Sequence, residues 1–428
     1  MDDRAKKKAW VRHEHDLVVG VDIAKKKHWA CVTDSDGEKR LKPFAFKNSR
    51  EGFMRLQEQI QRFHPQIAPH RVVVGMEPSG HYWKPLAHYL QQAGFHIVLT
   101  NPFHVKSSKE LSDNSPTKND RKDAGVIAEL VQEGRFLRCY LPEGVYAELR
   151  VLTVTRQQQR QKLNAALNGL QAILDEHFPE FTEVFADPLG KAAQYVLQHC
   201  PFPVDVQAWS QQDLAAALKL ATRQRVGEKR AASLLAAAAR SIGVQSGLQG
   251  ARLKLRSCLA EIAFWHEQME QTEAAMKQAL EQTGLAPYLL SIPGVGVVTA
   301  ASFLGEVGDL GRYEHWKQIQ KLAGYNLTEN SSGQRTGQTR ISKRGRPVLR
   351  SLLYQAALIL VSKNREFKAL YQHFLTRPVN RLQRKQALVD VALKLLRVLY
   401  TLGKEKRHYD ACRVLGSYRR QQLALNAA

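Results

Sequence analysis

Four carboxylates stand where an α/β sheet would end a strand or begin a helix: Asp22, Glu77, Asp120 and Asp123. Asp22 closes the apolar run LVVGVD at 17–22, and Glu77 closes RVVVGME at 71–77. Asp120 and Asp123 are three apart at the start of a helical pattern, which sets them on one face within reach of each other. Four acids converging on one point repel unless cations hold them. Hard divalent ions with oxygen ligands suit such a set, Mg2+ first and Mn2+ as its substitute. Two such ions about 4 Å apart clamp the attacking and leaving oxygens of a phosphodiester in line. Taken singly, each acid is ordinary for its position, because polar residues end strands and Asp favours helix starts. It is the set, in this order, that points to chemistry.

A second constellation runs from Tyr325 to Arg350 (YNLTENSSGQRTGQTRISKRGRPVLR). Its last seventeen residues hold Arg335, Arg340, Lys343, Arg344, Arg346 and Arg350, and no acid. A loop so small-residued and basic could cradle phosphates through charge and backbone N–H groups. Ser331 and Ser332 precede Gly333, where a hydroxyl could reach a phosphorus. An unactivated serine is a weak nucleophile, and no His lies within ten residues. On these residues alone the segment reads as a solvated nucleic-acid-binding loop whose serines form turns. Upstream, Pro293-Gly294-Val295-Gly296 resembles a helix–hairpin–helix whose Gly294 and Gly296 would offer amides to a phosphate; it is equally a tight helix–helix turn.

The whole chain agrees with a polyanionic partner. Its 428 residues carry 63 Lys and Arg against 40 Asp and Glu, a net charge of +23. No run of eighteen apolar residues occurs, so no membrane span is expected, and the basic first fifteen residues lack the apolar core of a secretory signal. Cys31, Cys139, Cys200, Cys258 and Cys412 are an odd number without close pairs. That excludes a disulfide framework and a CxxC zinc site and fits the cytoplasm. The cysteines read as small buried hydrophobes, the histidines show no metal-site spacing, and the Trp and Tyr residues read mostly as core.

The elements that must position these groups fall into three parts. Residues 1–142 alternate strands (17–22, 28–33, 40–46, 71–77, 96–100) with helices (one capped by Ser49 with Phe53, Leu56 and Ile60 on a face, then 83–93 and 120–133). A three-strand meander followed by helix, strand, helix, strand and helix is the order of a ribonuclease-H-like α/β fold. Residues 143–284 read as two long amphipathic helices joined by a helical insert, an antiparallel coiled-coil arm. Residues 285–428 read as all-α, with helices at 347–362, 366–375 and 383–402.

The motifs V-G-V-D-I-A-K at 19–25, G-M-E-P-S-G-H-Y at 75–82, N-P at 101–102 and K-N-D-R-K-D-A at 118–124 resemble those of the DEDD-type transposases of the IS110 insertion sequences, the RNA-guided bridge recombinases. The resemblance continues through S-I-P-G-V-G at 291–296, A-G-Y at 323–325, S-G at 332–333, I-S-K-R-G at 341–345 and L-R at 349–350. It implies a RuvC-like first domain whose acidic tetrad matches Asp22, Glu77, Asp120 and Asp123. It also implies a C-terminal transposase domain whose nucleophile matches Ser332, with Ser331 its neighbour. That reverses the reading of the loop taken alone. The serine would form a covalent phosphoserine with DNA, and Mg2+ on the tetrad would activate it. The resemblance further implies donor and target DNA as partners, a non-coding bridge RNA paired to both, and a homo-oligomer, dimer or tetramer, whose protomers share the site. Arg346 departs from the family pattern after S-K-x-G.

Two rivals remain in view. A metal-dependent nuclease of the Holliday-junction-resolvase type needs the tetrad but uses water. A non-catalytic nucleic-acid-binding scaffold needs neither the carboxylates nor a divalent ion.

Overall fold

In a computed structural model of the chain, the described residues are 3–113, 120–328 and 339–416, with the side chains of 109–113 and of Asp120 outside the description. The chain divides into two compact units, Met1–Leu141 and Pro142–Ala428.

The first unit is a mixed sheet covered on both faces. Strands β1 (Leu17–Asp22), β2 (Lys27–Asp34) and β3 (Lys39–Lys47) form an antiparallel meander. Strand β4 (Val72–Met76) runs parallel to β1, and β5 (His96–Thr100) parallel to β4. A short β6 (Phe136–Arg138) closes the edge antiparallel to β5, giving the order β3-β2-β1-β4-β5-β6. Helices α1 (Asp3–Glu14), α2 (Arg50–Phe63), α3 (Trp83–Gln92), α4 (Pro102–Asp113) and α5 (Asp120–Gln132) complete it.

Alternation along β1 decides what each face buries. Leu17, Val19 and Val21 pack with Phe53, Leu56 and Ile60 of α2 and with Leu86 and Leu90 of α3. Val18 packs with Val73, Val98, Ala128, Val131 and Val11 on the opposite side. Ser49 caps α2 by accepting from the Gly52 amide at 3.3 Å, as its sequence position suggests. The helices α1 and α4 and the strand β6 have no counterpart in the sequence reading. α1 is charged nearly all round and buries only Val11, so it lacks the apolar stripe by which a helix is recognised. β6 has three residues, too few to show alternation.

In the second unit α6 (Gly144–His177) and α12 (Leu248–Gln282) are the long helices, 34 and 35 residues. They lie antiparallel: Arg156 meets Glu273 at 2.7 Å, Gln159 donates to Thr272 at 2.9 Å, and the Lys162 ammonium sits over the Trp265 ring. Between them α7 (Phe181–Val184), α8 (Lys191–His199), α9 (Pro203–Gln207), α10 (Gln211–Ala221) and α11 (Glu228–Ala239) build their own core around Phe178, Phe181, Leu197, Phe202 and Leu234.

A second core gathers α13 (Ala286–Leu289), α14 (Val297–Val307), α15 (Trp316–Ala323), α16 (Pro347–Lys363), α17 (Arg365–Thr376) and α18 (Arg384–Glu405). The segment that resembles a helix–hairpin–helix is a single helical turn, a loop with Gly294 at φ +98°, and then α14. A side chain at Gly294 would press on Leu360 of α16, so its glycine has a packing reason of its own. Of the cysteines, Cys31 and Cys200 are buried as expected, Cys139 and Cys258 are half-buried, and Cys412 is exposed.

Candidate active site

The carboxylates are set by strand register. Val21 of β1 pairs with Met76 of β4, so the next residues, Asp22 and Glu77, leave adjoining parallel strands at the same edge. Glu77 is oriented by Ser79, whose hydroxyl donates to its Oε1 at 3.1 Å. Thr100 donates from its hydroxyl to the Met76 carbonyl at 3.3 Å and ties the end of β5 to that of β4.

Asp123 rides on α5, which lies directly on β1. A Cβ at Gly20 would stand 2.1 Å from the Ala124 carbonyl oxygen and 2.5 Å from the Ala128 amide. Only glycine lets the helix come this close, and the close approach draws Asp123, 9% exposed, towards the strand that ends in Asp22. Asp120 begins the same helix, and its side chain lies outside the described residues. Among the described residues no three His, Cys, Asp or Glu side chains are gathered as a metal cluster. The structure thus brings Asp22 and Glu77 to one edge, with Asp123 on the covering helix, but does not draw these three into one ligating group.

Around the edge lies a basic and aromatic rim. Trp29, opposite Asp22 in the register, carries the Lys27 ammonium at 5.3 Å and the Arg121 guanidinium at 4.7 Å from its ring centre. Similar cation–π contacts occupy Trp10, Trp265 and Trp316. Trp10, Trp83, Trp209, Trp265 and Trp316 are half-buried and pack against the hydrophobic cores, as expected, and Trp29 alone of the six joins none of them.

In the second unit a two-strand stem, β7 (Leu327–Thr328) paired with β8 (Arg340–Ile341), flanks the serine segment. Ser331, Ser332, Gly333 and Arg335 lie outside the described residues. The feet of the stem are clamped. Lys343 donates its amide to Gly324 O at 3.0 Å, Ser342 its amide to Asn326 O at 2.7 Å, and Arg346 its amide to Leu322 O at 2.7 Å. The Arg350 guanidinium donates to Ala323 O at 3.0 Å and Lys343 O at 3.2 Å, while the buried Tyr325 hydroxyl donates back to Arg350 O at 2.9 Å. Gly345, at φ +151°, lies so close to Leu322 that a Cβ would fall 2.4 Å from that carbonyl. The motifs at 323–325, 341–345 and 349–350 are therefore one interlocked knot.

The basic residues of the loop divide. Arg340, Lys343 and Arg344 are exposed, whereas Arg350 straps the knot and Arg346 turns inward. The Arg346 guanidinium donates to the Glu306 carbonyl and stands 3.9 Å from its carboxylate, which also pairs with Arg150. The Glu306 side chain is wholly buried. Burial, and then the neighbouring Arg150, push the Arg346 pKa down, against the opposing pull of Glu306. Gly296 is open to solvent on its Cβ side and caps α14 through no side chain. The sequence reading missed Arg150 and Glu306, although a lone acid inside the apolar SFLGEV stretch was the available signal.

Residues 19–179 match the DEDD-type family model of the IS110 transposases, described as "Transposase", and residues 286–372 match the model described as "Transposase IS116/IS110/IS902 family". The chain is 24% identical over 398 residues to the insertion element IS116 uncharacterized 44.8 kDa protein of Streptomyces clavuligerus, covering 92% of this chain and 96% of that one. It is 23% identical over 400 residues to the pilin gene-inverting protein of Moraxella bovis, covering 92% and 97%. Against the transposase for insertion sequence element IS1111A of Coxiella burnetii it is 23% identical over 322 residues, 74% and 73% of the two chains. The clamped loop motifs and the paired strand-end acids thus sit within two matched regions, and the chain belongs to the IS110 family of insertion-sequence transposases, enzymes that cut and transfer DNA.

Proposed function

We propose that this transposase cuts donor and target DNA and rejoins them through a covalent phosphoserine formed by Ser332. The observation that carries the reading is the knot under the serine segment: three separated motifs converge to hold the feet of its stem, which a merely solvated loop does not require. Such clamping lowers the entropic cost of presenting a hydroxyl in line with a scissile phosphate. In the forward step the Ser332 oxygen bonds to phosphorus, the phosphorus–oxygen bond to deoxyribose breaks, and the leaving deoxyribose oxygen takes up a proton to replace the one the serine hydroxyl gives up. In the reverse step a strand hydroxyl attacks the phosphoserine, so the diester is restored without external energy. Arg340, Lys343 and Arg344 would hold the phosphate backbone.

Asp22, Glu77, Asp120 and Asp123 would hold a divalent cation, Mg2+ or Mn2+ in its place. Their donors are oxygens only, and Asp22 and Glu77 emerge side by side, which fits a hard ion. When bound, the ion supplies Lewis-acid activation of the hydroxyl and neutralises phosphoryl charge. The RuvC-like reading of the first unit is supported by its strand order, in which the meander lies beside two parallel strands. Residues 143–284 would assemble the homo-oligomer through a coiled coil of the long helices. A bridge RNA paired to donor and target would read sequence, leaving the +23 charge to hold backbones.

A water-using nuclease shares the acids. It is disfavoured by the similarity to a protein named as gene-inverting, since inversion requires that cut ends be rejoined. The test is a denaturing gel of protein, candidate RNA, Mg2+ and labelled DNA, with Ser332→Ala beside the wild type. An adduct lost in the mutant is expected; cleavage without any adduct would overturn the phosphoserine in favour of water.

A further inference from the structure

Phe103 is 70% exposed, the most exposed of the large apolar side chains among the described residues of the first unit. Single exposed hydrophobics are normal and by themselves mean nothing. Here position supplies the meaning. Phe103 opens α4 just beyond β5, and β1, β4 and β5 are parallel, so it stands at the same carboxyl edge as Asp22 and Glu77. That is the edge at which open α/β sheets present their ligands.

The residue is also held rather than loose. Asn101 Oδ1 accepts from the Phe103 amide at 3.0 Å, and the Asn101 carbonyl accepts from the His104 amide at 2.8 Å. Val105, next along α4, is buried and anchors the helix. The His104 ring meets the Phe103 ring edge-on, with centroids 6.2 Å apart. Exposed cations surround the same edge: Lys25 and Lys26 after β1, Lys84 on α3, and Lys106 one turn along α4 from Phe103.

We propose that Phe103 is a stacking platform for an unpaired base of the DNA strand held at the carboxylates. The inference rests on the reading of that edge as the site of DNA cleavage and names the state in which DNA occupies it. Carboxylates repel phosphates, so a nucleotide beside them must be held by cations further out and by contacts indifferent to charge. An aromatic face offers such a contact, and the combination of cationic rim and exposed ring is how proteins grip single strands. Bases within a duplex are stacked on one another and offer no free face. Phe103 is therefore a positioning residue that favours melted DNA over intact duplex.

The test needs no chemistry and is done in EDTA with the full-length protein. A single-stranded DNA oligonucleotide carrying 2-aminopurine, and its duplex, are titrated with wild type, Phe103→Ala and Phe103→Trp. The expected result is quenching of the single-strand probe by wild type and Phe103→Trp, with single-strand affinity weakened about tenfold in Phe103→Ala and duplex affinity unchanged. Equal loss on both probes, no loss on either, or a change in oligomer mass by light scattering would overturn it. Because cleavage is not read, an Asp22→Ala or Ser332→Ala variant that still cleaved DNA in a separate assay would sink the catalytic reading while leaving the stacking result intact.

Discussion

Arg346 donates to the main chain of Glu306, 40 residues earlier, and faces its wholly buried carboxylate, which Arg150 reaches from α6. A residue that stands in a run of cations is thus one of the three members of an internal ion cluster. Two guanidiniums on one carboxylate join α6, α14 and the start of α16, the helix that follows the serine segment in sequence. Both guanidiniums keep 31% of their side-chain exposure, so each retains some hydration while Glu306 retains none. Glu306→Gln should therefore be the costly change. It leaves two half-buried cations facing each other, and the loss should approach about 3 kcal/mol, the lower end for breaking a buried pair. Urea unfolding of the purified variant checks this. A loss below about 1 kcal/mol would mean that the cluster is solvated.

The same geometry predicts which cations matter to nucleic acid. Arg340→Ala, Lys343→Ala and Arg344→Ala should each weaken binding across sequences and reduce the slope of log affinity against log salt by about 1. Arg346→Ala should leave the slope as it was and lower the unfolding midpoint instead. Binding isotherms at four salt concentrations separate the two behaviours. A slope that falls as much in Arg346→Ala as in Arg344→Ala would return Arg346 to the phosphate contacts.

Why this division was invisible in the sequence is physical. Helical and strand periodicities report which face of an element is apolar, and β1, α2 and β5 declare themselves that way at 17–22, 50–63 and 96–100. The pairing of Asp22 with Glu77 follows from element order, because strands that end alike in a parallel pair end together. Charge carries no such period: an arginine reads the same whether its partner is solvent or a glutamate 40 residues away. Gly345 and Tyr325 likewise were legible only as motif letters, since what fixes them is a carbonyl at Leu322 and another at Arg350. Phe103 escaped for the opposite reason, an apolar residue in a helix too polar to announce itself.

A pair of histidines gives the first unit a pH dependence. His15, 1% exposed, places its Nε2 2.7 Å from His96 Nδ1, with Trp10 edge-on to it. Burial lowers the pKa of His15 and the proximity of His96 lowers it further; burial is the main cause at His96 too. Glu14 pulls both upwards, while His70 and Arg138 push His96 down. A depressed histidine pKa means the unfolded chain takes up the proton first. The stabilisation is therefore complete above the unfolded value near 6.5 and is lost as pH falls through the lower folded value. Thermal midpoints should hold between pH 7 and 8 and fall towards pH 5. His96→Gln should flatten that fall in part, since buried His28, also depressed, keeps its share. A midpoint that rises on acidification would reverse the sign and refute the assignment.

Asp22 offers the sharpest separation of binding from cutting. Its backbone is the last of β1; it pairs with Trp29 of β2, and its neighbour Val21 pairs with Met76 of β4, neither of which depends on the Asp22 carboxylate. Asp22→Ala should therefore fold with its sheet intact. It removes one negative charge from an edge rimmed by Lys25, Lys26 and Lys27, so affinity for DNA and RNA should hold or rise slightly. Strand cleavage should fall below detection if the proposed metal set is right, because that set would lose one of its oxygen donors beside Glu77. The comparison is made by gel shift and by cleavage assay on one preparation, with Mn2+ substituted for Mg2+ as a second arm. Wild-type cleavage by the variant would remove Asp22 from the metal set. Loss of binding along with cleavage would make its role architectural.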